Sequence, residues 1–456
     1  MRASMFHNFF NSQTKTINRA ALILAVSALL SRLLGVVRDS LLYHTFGAGR
    51  ELDAYFAAFR VPDFVYNVLI AGGVVVAFLP LFSEYFLKSK EEAWRFANNV
   101  LNVFLLFLIS ISLIFAVFAP FFIKLITPGF DSQQLSLVVL LSRILFLSPI
   151  LLGLSSLFSG VLQYFNKFLV YSLSPILYNF GIILGILFLA PHSGIWGVTA
   201  GVILGALMHF LVQVPSAWGS GFRYLPILNF RDPGLKKVFS LMLPRTFGVA
   251  APQINLMVIT AIASTLPAGA LSIFTFSNNL QQFPLGLIGI PFAVAVFPAL
   301  AKSSAALQKE EFVGKFRRTF KKILYLVLPL SFLIFIFRSQ IVNIIYRYGK
   351  VGETSSLQLI STSLGLFSLG IFATCLIPLV LRAFFALQDT KTPTIIAVFA
   401  MVLNIILCLI FVRVFNSVIG LPLAFSVDSI LQLLFLVYFL NRKINKNFSF
   451  SNNTRS

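Results

Sequence analysis

The sequence predicts an all-α polytopic membrane protein with twelve transmembrane helices in two six-helix, pseudo-symmetric lobes around a central cavity. Three observations lead there: a composition too apolar for water, twelve runs of membrane-crossing length, and an ordered repeat between the halves. Of 456 residues, 58% are hydrophobic and 11% charged, and mean hydropathy is +0.92. Soluble domains average roughly a quarter charged, so this chain could not cover itself in water, whereas lipid demands an apolar exterior. Low charge density, 27 Gly and 2 Cys exclude disordered, collagen-like and disulfide-scaffold classes. Cys375 and Cys408 lie inside apolar runs and form no CxxC motif.

A helix needs about 20 apolar residues to cross the hydrocarbon core. Such runs lie near 20–43, 52–87, 96–126, 135–165, 168–190, 194–217, 238–265, 269–300, 320–346, 355–387, 393–414 and 418–440. The first is a span and not a cleaved signal, because it is too long and carries Arg32 and Arg38 in its second half. The longest polar break, GSGFRYLPILNFRDPGLKK, sets an inter-lobe linker at 218–237. It separates an N-lobe at 1–217 from a C-lobe at 238–456 that ends in a short basic tail.

The formal charge is +21, from 35 Lys and Arg against 14 Asp and Glu. On a soluble protein this would suggest nucleic acid. Threading the spans with a cytoplasmic N-terminus puts 24 of the cations on that side and 6 on the other. This positive-inside bias predicts that both termini are cytoplasmic. The excess is therefore topology, and no nucleic-acid partner is expected. Five arginines remain within spans: Arg32, Arg38, Arg60, Arg143 and Arg245.

The halves repeat. Val76-Ala77-Phe78-Leu79-Pro80-Leu81 matches Val294-Ala295-Val296-Phe297-Pro298-Ala299 at an offset of 218, and Glu91-Glu92 matches Glu310-Glu311 at 219. Gly129 matches Gly349 at 220, and Gln163 and Asn179 match Gln388 and Asn404 at 225. The offset drifts in one direction, as loop insertions require. Six spans per half predict parallel repeats, typical of secondary transporters with a midplane site between lobes.

Charge in the hydrocarbon is costly and normally faces a partner or water. The first span gathers Ser31, Arg32, Gly35, Arg38 and Asp39. At 100° per residue Ser31, Gly35 and Arg38 share about 60° of arc, with Arg32 and Asp39 on the adjoining stripe. Asp53 follows at a helix start, and Arg60 and Asp63 flank Pro62. The second lobe offers Arg245 beside Pro244, the polar run Ser277, Asn278, Asn279, Gln281 and Gln282, and then Asn404 and Asp428. Arginine suits bidentate recognition of phosphate or carboxylate and stays charged when desolvated, so the pattern predicts an anionic substrate. The competing reading is ion pairing, Arg38 with Asp39 and Arg60 with Asp63. No GxxxxGK[ST] loop and no histidine or cysteine metal-ligand spacing occurs, so the chain reads as neither an ATPase nor another enzyme, and no metal is expected. Gly35 and the pairs Gly181/Gly185 and Gly201/Gly205 read as helix-packing notches.

The segment SRLLGVVRDSLLYHTFGAGRELDAYFAAFRVPDF, residues 31–64, resembles the opening signature of the MurJ/MviN lipid II flippase family, within the multidrug/oligosaccharidyl-lipid/polysaccharide exporter superfamily. The similarity continues through 77–85, 127–130, 283–302, 348–350 and 388–393. The resemblance implies a bacterial plasma-membrane flippase that moves an undecaprenyl-diphosphate-linked disaccharide-peptide, lipid II, to the outer leaflet. It would do so by alternating access, driven by an ion gradient or membrane potential, with no cofactor beyond an unassigned coupling ion. It implies substrate contacts at Ser31, Arg32, Arg38, Asp39 and Asp53. A monomer surrounded by membrane lipids and associated with cell-wall synthesis proteins is the expected working form.

The chain departs from the family pattern at Tyr66 and Asn279, where arginines are common, and at Gln282, where an acid is common; Arg60 and Arg245 are candidates to restore the charge. It also offers twelve spans where many members have two more. The alternatives are a flippase for another polyprenyl-diphosphate saccharide and a cation-coupled drug exporter, which would want an anionic cavity. A membrane scaffold would need no buried arginines.

Overall fold

In the computed structural model, which describes residues 17–71, 74–347 and 354–453, every regular element among the described residues is helical. The chain divides into two compact units, one holding residues 50–261 and the first helix, the other residues 262–456 with 47–49.

The first unit opens with α1 (Ile17–Phe46), α2 (Arg50–Ala58) and α3 (Arg60–Val65). A π-helical segment, Tyr66–Ala71, then leads to α4 (Val74–Lys88). The apolar run 52–87 is thus broken, and Pro62 explains one break. A proline has no N–H, so the Ala58 carbonyl loses its helical partner and accepts instead from the buried Ser142 hydroxyl at 3.0 Å. Next come α5 (Lys90–Val117), α6 (Ala119–Ile126), α7 (Ser132–Leu145), α8 (Leu147–Tyr164) and α9 (Phe168–Leu184). Ser89 and Asp131 accept from the Glu92 and Gln134 amides, so each caps a helix that runs as far as its apolar stretch allows. The unit ends with α10 (Ile195–Leu211), α11 (Val214–Gly219) and α12 (Pro233–Ser264), the last belonging to it as far as Ala261. Its core is aromatic, with Phe78, Phe82, Phe96 and Phe104 buried among α4, α5 and α8.

In the same unit α9 and the π segment that follows it, Gly185–Leu189, approach α10 closely at glycines. A Cβ on Gly181 would strike the Gly205 backbone, and one on Gly201 would come within 2.7 Å of the Gly185 Cα. Both glycine pairs are therefore packing notches, while Gly35 has open space out to the Asn179 Oδ1 at 4.0 Å.

The second unit contains α13 (Ala270–Pro284), a π segment Leu285–Gly289, α14 (Ile290–Ala305), α15 (Lys309–Ile336), α16 (Arg338–Tyr346), α17 (Thr354–Ser368), α18 (Ile371–Ala386), α19 (Lys391–Phe415) and α20 (Gly420–Asn453). The bend of 45° between α17 and α18 leaves the Leu366 carbonyl to accept from the Ser426 hydroxyl at 2.8 Å. Asp389 opens α19, accepting from the Thr392 amide and hydroxyl, and binds Lys443 of α20 at 3.0 Å.

The repeat reappears in backbone detail. The π segments at 66 and 285 stand 219 residues apart, as do the 28-residue helices α5 and α15. The residues that end those helices, Phe118 and Phe337, share a conformation, φ −87° and −90° with ψ 10° and 13°. Among the described residues eight helices are long and apolar enough to cross a membrane, or nine with the bent pair. The other expected spans are α1, the broken stretch α2–α4, and α12. Gly349 and Lys350 of the repeat and topology counts, and Arg2, Lys15 and Arg455, lie outside the described residues, as do the side chains of Val76 and Arg245.

Candidate functional site

The stripe Ser27, Ser31, Gly35 and Arg38 of α1 meets a polar stripe on α9. Ser27 donates to the Ser172 hydroxyl at 2.9 Å. Asn179, seven residues on, donates from Nδ2 to the Ser31 hydroxyl and carbonyl, both at 3.2 Å, and to the Pro175 carbonyl at 3.1 Å. Its Oδ1 accepts from Arg38 Nη1 at 3.1 Å across the notch at Gly35. One asparagine amide therefore joins two positions of the predicted stripe, Ser31 and Arg38.

Arg38 also grips Asp39, with Nε at 2.9 Å and Nη2 at 2.7 Å from the same Oδ1. The carboxylate is only 4% exposed and the guanidinium side chain 23%. Three of the five guanidinium N–H bonds are engaged in these contacts. The group is thereby held in one orientation, with the Asp39 carboxylate as its counter-charge. The ion pair between Arg38 and Asp39 is present, and it positions the arginine.

The neighbouring predicted residues fall as follows. Arg32 is half-buried on α1, and Asp53 is buried on α2 at 2% exposure. Arg60 does not pair with Asp63. Its Nε donates to the Thr260 hydroxyl of α12 at 2.8 Å, which joins two helices 200 residues apart. Arg143 donates to the Ala116 carbonyl at the end of α5 at 3.1 Å, so its charge serves a helix C-terminus. Of Arg245 only the helical backbone is described.

In the second unit Asn279 and Gln282 are half-buried on α13, with Gln281 donating to Asn278 at 3.0 Å. Asn404, the repeat partner of Asn179, is fully buried with Nδ2 unpartnered, and its Oδ1 accepts from Cys408 Sγ at 3.7 Å. Asp428 is 8% exposed and its Oδ1 also has no partner. No group of three or more metal-ligating side chains occurs among the described residues.

The structure thus gathers Ser31, Arg38 and Asp39 into one constellation and adds Asn179, which the sequence marked only as a rung of the repeat. Thr260 carried no sequence signal at all.

Comparison with known proteins agrees over nearly the whole chain. The family model "Lipid II flippase MurJ" matches residues 42–453. A Haemophilus influenzae protein described as a probable lipid II flippase MurJ is 32% identical, over 92% of this chain and 84% of its own length. A Vibrio cholerae protein of the same description is 30% identical, over 94% and 85%. Among solved structures, "Lipid II flippase MurJ, inward closed conformation" superposes with a TM-score of 0.80 at 27% identity, covering 94% of this chain and 90% of that one. An inward-facing MATE multidrug transporter superposes at 0.78 with 15% identity, covering 93% and 98%, which is a likeness of fold alone.

Proposed function

The chain belongs to the MurJ family of lipid II flippases, and from that premise we propose how its residues serve the reaction. The substrate is an undecaprenyl-linked disaccharide-peptide whose diphosphate must cross a medium of low dielectric. We assign the diphosphate to Arg38 and Arg32, with Asp39 and Asn179 positioning the Arg38 guanidinium, and Ser31, Asp53 and Arg60 lining the path. The carrying observation is the braced arginine: a guanidinium on an apolar spanning helix, fixed by Asp39 and Asn179.

Diphosphate binding by a pre-oriented fork costs little side-chain entropy and favours a bidentate contact. Arg245, Asn279 and Gln282 are assigned to the second lobe's share of the substrate path. Movement occurs by alternating access in the bacterial plasma membrane, with both termini cytoplasmic, and draws on an ion gradient or the membrane potential in place of ATP. The 24-to-6 cation bias supports that orientation.

Complementation of a bacterium depleted of its lipid II flippase tests the reading. The chain should restore growth, and Arg32→Ala and Arg38→Ala, accumulating in the membrane to equal levels, should not. Full growth with both variants would overturn the assignment.

A further inference from the structure

α5 spans 28 residues, about 42 Å at 1.5 Å each, against a hydrocarbon core of about 30 Å. Its charged start, Lys90 to Arg95, stands outside that core. Asn98, Asn99 and Asn102 therefore fall near the boundary between headgroups and acyl chains, yet they are 0%, 2% and 7% exposed.

What buries them is the linker. Asn98 Nδ2 donates to the Arg223 carbonyl at 2.9 Å and its Oδ1 accepts the Leu225 amide at 2.9 Å. Asn99 exchanges the same pair of bonds with Asn229, at 3.0 and 2.7 Å. Asn102 Nδ2 donates to the Leu225 and Ile227 carbonyls at 2.8 and 3.0 Å. Irregular backbone is barred from lipid because its polar groups go unmet. Along 223–229 four carbonyls and two amides are met by three side chains of one helix.

The outward side of this segment is apolar: Tyr224 is 59% exposed, Leu228 55% and Phe230 59%. Leu105, Leu106 and Ile109 of α5 join Tyr224, Pro226 and Leu228 around a groove of about 200 Å³. The groove is continuous with the bare face of α5 at Leu113 and Ile114. Flanking the lining residues in sequence are the exposed cations Arg231 and Arg223, the latter donating from Nη1 to the Trp218 and Phe222 carbonyls and keeping its other N–H bonds.

We propose that residues 222–230 lie within the membrane boundary and, with α5, seat an acyl chain of an anionic glycerophospholipid whose phosphate meets Arg223 and Arg231. The lipid-facing continuity selects an acyl chain, and the two cations select an anionic headgroup.

The full chain in nanodiscs provides the test. A phosphatidylglycerol with a diazirine on its acyl chain should, on photolysis, label peptides 102–109 and 222–230 above the lipid-facing α19. A phosphatidylcholine probe should label them less. Even labelling across helices, or equal labelling by the two lipids, would overturn the site or its headgroup.

A hydrophilic maleimide supplies the second measurement, with Cys375 and Cys408 buried and silent. Leu228→Cys should react roughly tenfold more slowly than Gln308→Cys in an aqueous loop, the factor that burying a leucine-sized group implies. Adding Asn102→Leu should restore the rate by releasing the linker. Equal rates at the two cysteines in the otherwise unaltered chain would overturn the proposal.

Discussion

At the scale of single residues, the electrostatic question is how this chain keeps charge where water is scarce. Arg38 answers with two partners: Asp39 and Asn179 take three of its N–H bonds. Removing one member of a buried ion pair strands the other, which typically costs about 3–5 kcal/mol, so Asp39 is as much a stability residue as a site residue. Asp389 shows the same logic outside the membrane. Burial pushes its carboxyl up, but the Thr392 amide, Lys443 and the Thr392 hydroxyl outweigh it and hold it below the ordinary carboxylate value. A carboxyl that titrates lower when folded contributes stability that is complete above roughly pH 4, the unfolded value. That contribution is lost as the pH falls through the folded one. The melting temperature of the purified chain should therefore drop as the pH falls below about 4, and Asp389→Asn should lower it at pH 7 while flattening that drop.

At the scale of elements, the close approach of α9 and α10 rests on four glycines whose Cβ positions are already occupied by backbone. Backbone cannot yield as a side-chain tip can. Gly205→Ala should cost about 1–3 kcal/mol as an overpacked contact, read as a lower melting temperature in detergent. Gly35→Ala, with the Asn179 Oδ1 at 4.0 Å, should melt within a degree or two of the parent. A large loss at Gly35 would mean that α1 packs more tightly than this geometry allows. Two breaks are met alike: the Ala58 carbonyl, freed by Pro62, accepts from the Ser142 hydroxyl, and at the α17–α18 bend the Leu366 carbonyl accepts from the Ser426 hydroxyl. Broken spans remain viable in lipid because the freed groups are met internally.

At the scale of the whole molecule, the two units carry the same succession of a π turn, a proline-bearing helix and a 28-residue helix. Yet the repeat has diverged where it matters chemically. Asn179 is fully committed in the first unit, whereas its counterpart Asn404 keeps an unpartnered Nδ2 in the second. The cation asymmetry makes a global prediction as well. A green fluorescent protein fused to the C-terminus should fluoresce, and alkaline phosphatase fused there should stay inactive. The reverse pattern would invert the topology.

The sequence by itself determined the solvent, the helical class, the family and the residues that hold charge at depth, because each is written in local composition, periodicity or a contiguous motif. The stripe of Ser31, Gly35 and Arg38 was legible for that reason: helical spacing fixes which side chains share a face. What those faces meet was not. Asn179 lies 141 residues from Arg38 and Thr260 lies 200 from Arg60, and no periodicity encodes a partner at such a distance. The three asparagines of α5 form no sequence motif, and their partners at 223–229 lie more than 120 residues away. Tertiary structure alone decided these pairings, because a buried polar group must find a partner and only the packed chain determines which one is within reach.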